Sequence, residues 1–282
     1  SDYIHVNVDD AIHVSQLVSH ADQTDAFVLN TQYGSITSET GAYDVMTDTV
    51  NFKHLIASQE NGGAVLSAAT GIGSPLVIDT PWLSGETLDG DINLVITDDS
   101  HATLLKTSKG NNVRIRALGD LNIDELLGTP WLYVDGHFVA TDMTIDGGEI
   151  QSKKSIDIEN IVMTESGPLS LEAPIIDVNI MGESLEHLDI SLSGVENSQA
   201  DWIGANIYGA QKLNISELNT YRGELNTNHI QSDLSISYVD IKNGTVSGGY
   251  SVSTDKLTFD IDNESPASKN VDAQALTIYE GE

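Results

Sequence analysis

Cysteine is absent from the 282 residues, which removes disulfide frameworks and thiolate metal sites. Basic residues are scarce: 12 Lys and Arg stand against 43 Asp and Glu, for a formal charge of -31. Phosphate backbones and anionic bilayers repel such a surface, so no nucleic-acid partner is expected. Aromatics are only 6% of the chain while hydrophobic residues are 39%. Any core must therefore come from Val, Ile, Leu and Ala in a thin, regular arrangement. Apolar runs are short, and none approaches the ~20 residues that cross a bilayer, so no membrane insertion is expected. The opening "SDYIHVNVDD" has neither the basic nor the apolar stretch of a signal peptide. The expectation is a piece of a longer protein. The acidity suits salty, calcium-containing extracellular surroundings, where ions screen self-repulsion.

Helical periodicity is also nearly missing. Its best candidates, "DDAIHVSQLVSHA" and "SLEHL", are short and carry β-branched or turn residues. What is present is alternation. "GDINLVIT", "NNVRIRA", "LYVDGHFVA", "KSIDIENI", "IIDVNI" and "DLSISYV" alternate apolar and polar residues over four to eight positions, as half-buried strands do. Gly, Asn, Asp and Ser separate them as turn residues. Tight two-residue hairpin signals are few, with Asn243-Gly244 one candidate.

Degenerate repeats organise these strands. "GDINLVIT" from Gly90 resembles "GDLNIDEL" from Gly119, and Leu213, Leu234 and Leu257 open three further matching stretches. "TPWL" occurs at Thr80 and again at Thr129. Such a unit spans two or three short strands and must stack on its neighbours to bury its apolar face. The predicted fold is all-β: a right-handed parallel β-helix of irregular coils over residues 1–262. Residues 263–282 are predicted to be a linker plus a capping strand, or the start of a next module. Pro75, Pro81, Pro130 and Pro174 are expected at strand edges or turns.

The run Tyr33 to Asp79 carries a likeness. It contains Gly34-Ser35-Ile36, then Leu66, Ala68 and Gly71-Ile72-Gly73-Ser74, then Pro75-Leu76-Val77-Ile78-Asp79. Gly90 to Leu94 and Gly119 to Ile123 continue it. This pattern resembles the repeat of filamentous-haemagglutinin-like exoproteins, and most of all the leukotoxin-type filamentous adhesins exported by two-partner secretion. The resemblance implies a segment of a secreted fibre at the surface of a Gram-negative bacterium, active in attachment or biofilm. Its implied partners are a host or bacterial surface receptor or an exopolysaccharide, with an outer-membrane secretion partner for the parent protein.

Motifs that could carry chemistry are thin. Asp120, Asn122 and Asp124 space like the start of an EF-hand loop, but the positions that need Gly and Glu hold Glu125 and Trp131. Strand alternation explains them better. Stacked acids on neighbouring coils still leave room for weak calcium binding. Lys106, Lys109, Arg114 and Arg116 fall close together. A β-helix polysaccharide lyase would use such a cluster to neutralise a uronate. The alternative is cross-coil pairing with acids such as Asp91 or Asp120, with Val113 and Ile115 facing inward. Trp82, Trp131 and Trp202 are either sugar-stacking platforms or corner packing. No histidine spacing matches a metal motif. The expectation is a structural, adhesive, non-enzymatic protein with no catalytic residues and no cofactor; the rival is a lyase or hydrolase acting on an extracellular glycan.

Overall fold

A computed structural model describes residues 3–182, 185, 188–194 and 202–207 in full. Beyond these it describes residue 208 and the backbone of the strand segments within 213–226, 234–236, 239–248, 252–253, 257–258 and 270–273. The chain forms two compact units, 1–141 and 142–282. Both are parallel β-solenoids, and no helix occurs among the described residues. The stretch with the best helical pattern holds the strands Ile12–Val14 and Leu17–Ser19 instead.

In unit 1, one strand column runs Phe27–Thr31, Gly63–Ala68, Trp82–Thr87, Ser100–Lys106 and Leu121–Leu127, each parallel to the one before. A second runs Ile72–Asp79, Ile92–Ile96, Asn112–Ala117 and Thr129–Val134. Earlier coils break this second face in two. Ile72 pairs with Ile36, whereas Ile78 pairs with Leu55. The segment 39–54 is inserted at that break.

The interior is built from aliphatic ladders. Ile12, Ile36, Ile72, Ile92 and Val113 stand in register on successive coils, all buried. Beside them Phe27, Ala64, Leu83, Ala102 and Ile123 alternate large and small. Alternation lets neighbouring layers interdigitate without voids. Each buried aliphatic contributes about 1.5–3 kcal/mol, which explains how a chain so poor in aromatics makes a core. Unit 2 repeats the device: Ile156, Ile176 and Ile203 are in register, as are Ile150, Leu171 and Leu192.

Corners are closed by carboxylates. Asp99 Oδ1 accepts the Asp120 backbone N–H at 2.7 Å, and Asp120 Oδ1 accepts that of His137 at 2.8 Å. These acids cap backbone donors that leave the ladder at a turn. The capping carboxylate lies where the Cβ of the preceding residue on the next coil would be. A Cβ on Gly119 would approach Asp99 Oδ1 to 2.5 Å, and one on Gly136 would approach Asp120 Oδ1 to 2.1 Å. Gly119 and Gly136 are therefore required at these two corners.

Several expectations change. "GDINLVIT" and "GDLNIDEL" open strands in different columns, since Ile92 pairs with Val113 and Leu121 with Ser100. Leu213 does pair with Leu234, but Leu234 pairs with Val252 and Leu257 with Val239. Asn243-Gly244 lies inside the strand Val239–Gly248, which runs parallel to Leu213–Asn226, so it makes no hairpin. Pro75 lies within the strand Ile72–Asp79, at its register shift. Pro130 is buried within Thr129–Val134. Thr129 N–H bonds Asn111 O at 3.0 Å. Alternate residues of a parallel strand address opposite neighbours, so the Pro130 nitrogen turns away from that coil. Within 263–282, Asn270–Ala273 is a strand parallel to Val239–Gly248; the predicted strand at 275–279 lies outside the described residues.

Candidate functional site: a cleft under an inserted loop

The segment 39–54 leaves the solenoid after Ile36–Ser38 and returns at Leu55–Ala57. It contains the one antiparallel pairing among the described residues, Tyr43–Asp44 against Thr49–Val50. Ala42 packs on Val77 and Val95, with Tyr43, Val50 and Phe52 around them. Val77 and Val95 face out of the solenoid, yet both are buried because the loop covers them.

The base of the loop is fixed by His54, which is 0% exposed. Its Nδ1 accepts the Val77 N–H at 2.9 Å, and its Nε2 lies 3.0 Å from Glu39 O. An imidazole that accepts at Nδ1 and faces a carbonyl at Nε2 carries its proton on Nε2. Burial, the largest influence, pushes its pKa below the ordinary histidine value, so the ring is held neutral.

Arg116 fixes the tip. Its Nε and Nη2 donate to the two Asp48 oxygens at 3.0 and 2.6 Å, and Nη2 also lies 2.9 Å from Asp135 Oδ1. Its Nη1 donates to Ala117 O at 2.7 Å, and its guanidinium sits 4.6 Å from the centre of the Tyr133 ring. Burial opposes the charge, but Asp48 and Asp135 outweigh it and hold the guanidinium protonated. Asp48 has φ 50°, a left-handed conformation that Asp tolerates better than most residues. Tyr43 OH donates to Asp48 Oδ1. Burial first, then the Asp48 contact, pushes the Tyr43 pKa up to about 12.

Beside this loop lies an open cleft of about 410 Å3, lined by Tyr43, Val45, Pro75, Asn93, Arg114 and Trp131 among others. Its floor is one outward row of the second strand column. Asn93, Arg114 and Trp131 are in register on successive coils. The parallel row Val77, Val95, Arg116 and Tyr133 runs next to it. Arg114 is 53% exposed and 3.8 Å from Asp91. Trp131 is 46% exposed, and its Nε1 donates to Asn112 Oδ1 at 3.0 Å.

The basic cluster predicted from sequence is therefore divided. Val113 and Ile115 are buried and the arginines face outward, as expected. Arg114 has Asp91 as its partner, and Asp120 caps a corner. Lys106 belongs to the other strand column, where it donates to Glu86 at 2.7 Å. Lys109 lies in the turn between strands. Of the tryptophans, Trp82 stacks on His101 at 4.6 Å, and His101 Nε2 lies 2.7 Å from Asp124 Oδ1. Asp124 and Asn122 are exposed strand residues. Among the described residues no three His, Asp or Glu side chains converge to hold a metal ion. Asp157 and Asp177 stack in register on adjacent coils. Burial and then the Asp157 charge raise the Asp177 pKa.

Sequence reasoning missed Tyr43, Asp48 and Asn93. A signal existed: Leu76-Val77-Ile78 and Leu94-Val95-Ile96 both place an apolar residue where alternation calls for a polar one. Two such breaks in register mark an outward patch that needs cover. No protein-family model matches the chain, and neither a curated protein nor a solved structure does.

Proposed function

We propose that this chain is a structural and adhesive segment of a large secreted filamentous protein, of the filamentous-haemagglutinin-like kind exported by two-partner secretion. It stands at the surface of a Gram-negative bacterium and mediates attachment through its outer faces. The proposal draws on the resemblance of Tyr33–Leu126 and on the solenoid architecture, which suits a spacer and also suits a glycan-active enzyme.

One observation favours adhesion over catalysis. Of the two arginines that line the cleft, Arg116 is engaged by Asp48 and Asp135 and clamps the loop, which leaves only Arg114 to meet a ligand. The neighbouring phenol, Tyr43, is held protonated with a pKa of about 12, which makes it a poor base near neutrality. What remains accessible is a row of contact groups, Asn93, Arg114 and Trp131.

The test uses beads coated with the purified chain. Attachment to bacterial or host cells, with no rise in ultraviolet absorbance when uronate polymers are incubated with the chain, is the expected result. Cleavage of a uronate polymer that disappears in Arg114→Ala would overturn the proposal in favour of a lyase.

A further inference from the structure

We infer that the cleft beside the 39–54 loop binds a carboxylate-bearing sugar, one unit of an acidic glycan. The inference rests on the adhesive reading and deepens it by naming the ligand class.

Three features converge on that ligand. Trp131 is large and apolar, yet its side chain stands outside the core and is 46% exposed. Asn112 holds its ring nitrogen at 3.0 Å, so the ring has a set orientation. A flat indole offers an apolar surface to the C–H face of a pyranose, while the sugar hydroxyls stay in water.

Arg114 is the second feature. It neighbours Trp131 in the ladder, about 4.8 Å away along the coil axis, a distance one sugar ring spans. Its ion pair with Asp91 is long, at 3.8 Å, and Asp91 Oδ1 already accepts the Asn112 backbone N–H at 2.8 Å. The Arg114 fork therefore keeps donors for a carboxylate, which it can meet in bidentate fashion.

The third is the surrounding wall. Tyr43, Val45 and Pro75 give the cleft an apolar side, and Asn93 adds an amide one coil from Arg114. A volume of about 410 Å3 falls in the range of ligand pockets. The chain carries a net charge of -31, but its repulsion is screened beyond ~8 Å at physiological salt. Within the cleft the guanidinium of Arg114 decides which ligands gain. A neutral sugar stacks without pairing, whereas an acidic one does both.

The test is calorimetric titration of the whole chain with oligoglucuronate, sialyllactose and lactose. Binding of one or both acidic sugars, with lactose at least about tenfold weaker, is expected. A preference for glucuronate assigns an exopolysaccharide source and a preference for sialate a host glycan; either upholds the inference. Arg114→Gln and Trp131→Ala should each weaken acidic-sugar binding about tenfold or more. Lys106→Gln removes one cation outside the cleft and should change it less than about twofold. Equal binding of acidic and neutral sugars, no binding of either acid, or undiminished binding by Arg114→Gln overturns the inference. Bead attachment to cells without acidic-sugar binding would sink this inference alone. Acidic-sugar binding without attachment would sink the adhesive reading alone.

Discussion

Removing Arg116 should loosen the inserted loop far more than removing the acid it grips. Arg116 is only 11% exposed at its side chain and touches Asp48, Asp135, Ala117 O and the Tyr133 ring. Deleting one member of a buried ion pair costs about 3–5 kcal/mol, because the partner stays behind uncompensated. Asp135 is 26% exposed and Asp48 46% exposed, so water reclaims part of that cost. The cation–π contact adds about 0.5 kcal/mol. An estimate of about 3 kcal/mol follows for Arg116→Ala. Asp48→Ala leaves Arg116 paired with Asp135 and should cost about 1 kcal/mol. Urea denaturation of unit 1 reads the sum, and limited proteolysis reads local opening of the loop near Val45 and Met46, which are 74% and 93% exposed. Arg116→Ala should speed cleavage there more than Asp48→Ala does. Equal effects of the two substitutions, both under about 1 kcal/mol, would refute the clamp.

His54 gives the loop a pH dependence. Its folded pKa lies below its unfolded value, so the unfolded state binds the proton first as pH falls. Protection of the loop should be complete above the unfolded value, about 6.5, and decline below it; amide exchange at Val77, which His54 accepts, measures this, and a flat profile from pH 8 to 5 would contradict it. Gly136→Ala forces a Cβ to 2.1 Å from Asp120 Oδ1 and 2.6 Å from Asp120 N, and should lower stability by about 2 kcal/mol or more in chemical denaturation, whereas Gly110→Ala, with nothing within 4 Å but a φ of 83°, isolates the backbone term alone. Calcium should change the melting midpoint little, less than about 2 °C between chelator and millimolar ion, because Asp91, Asp99 and Asp120 already accept backbone N–H groups. A larger rise that vanishes in Asp157→Asn would place weak calcium binding at the stacked Asp157 and Asp177.

The solenoid was legible because its core obeys one local rule. Leu121 and Ile123 turn in and Asn122 and Asp124 turn out, as period-two alternation requires. Register was less legible. Strands in both columns share the same Gly-Asp opening, so matching text at Gly90 and Gly119 did not mean neighbouring rungs. Coil lengths also vary: Leu213 meets Leu234, but the next rung is Val252. The cleft was least legible. It joins Asp48 to Arg116, 68 positions apart, and nothing local in either residue's surroundings announces the other. Only the outward Val77 and Val95 hinted that a cover was needed.

That cover has a consequence for anyone who would reshape this surface. Parallel coils ordinarily tolerate changes in their connecting loops, because the ladders set the register and the loops merely link strands. Residues 40–53 are an exception. Cutting them to a short turn would leave the flanking strands paired as before, yet Val77 and Val95 would lie bare on an outward face at two consecutive rungs. A row of β-branched side chains on an open sheet is a template for another sheet. The shortened chain would fold and then self-associate, unless valine-to-threonine changes at both rungs accompanied the deletion.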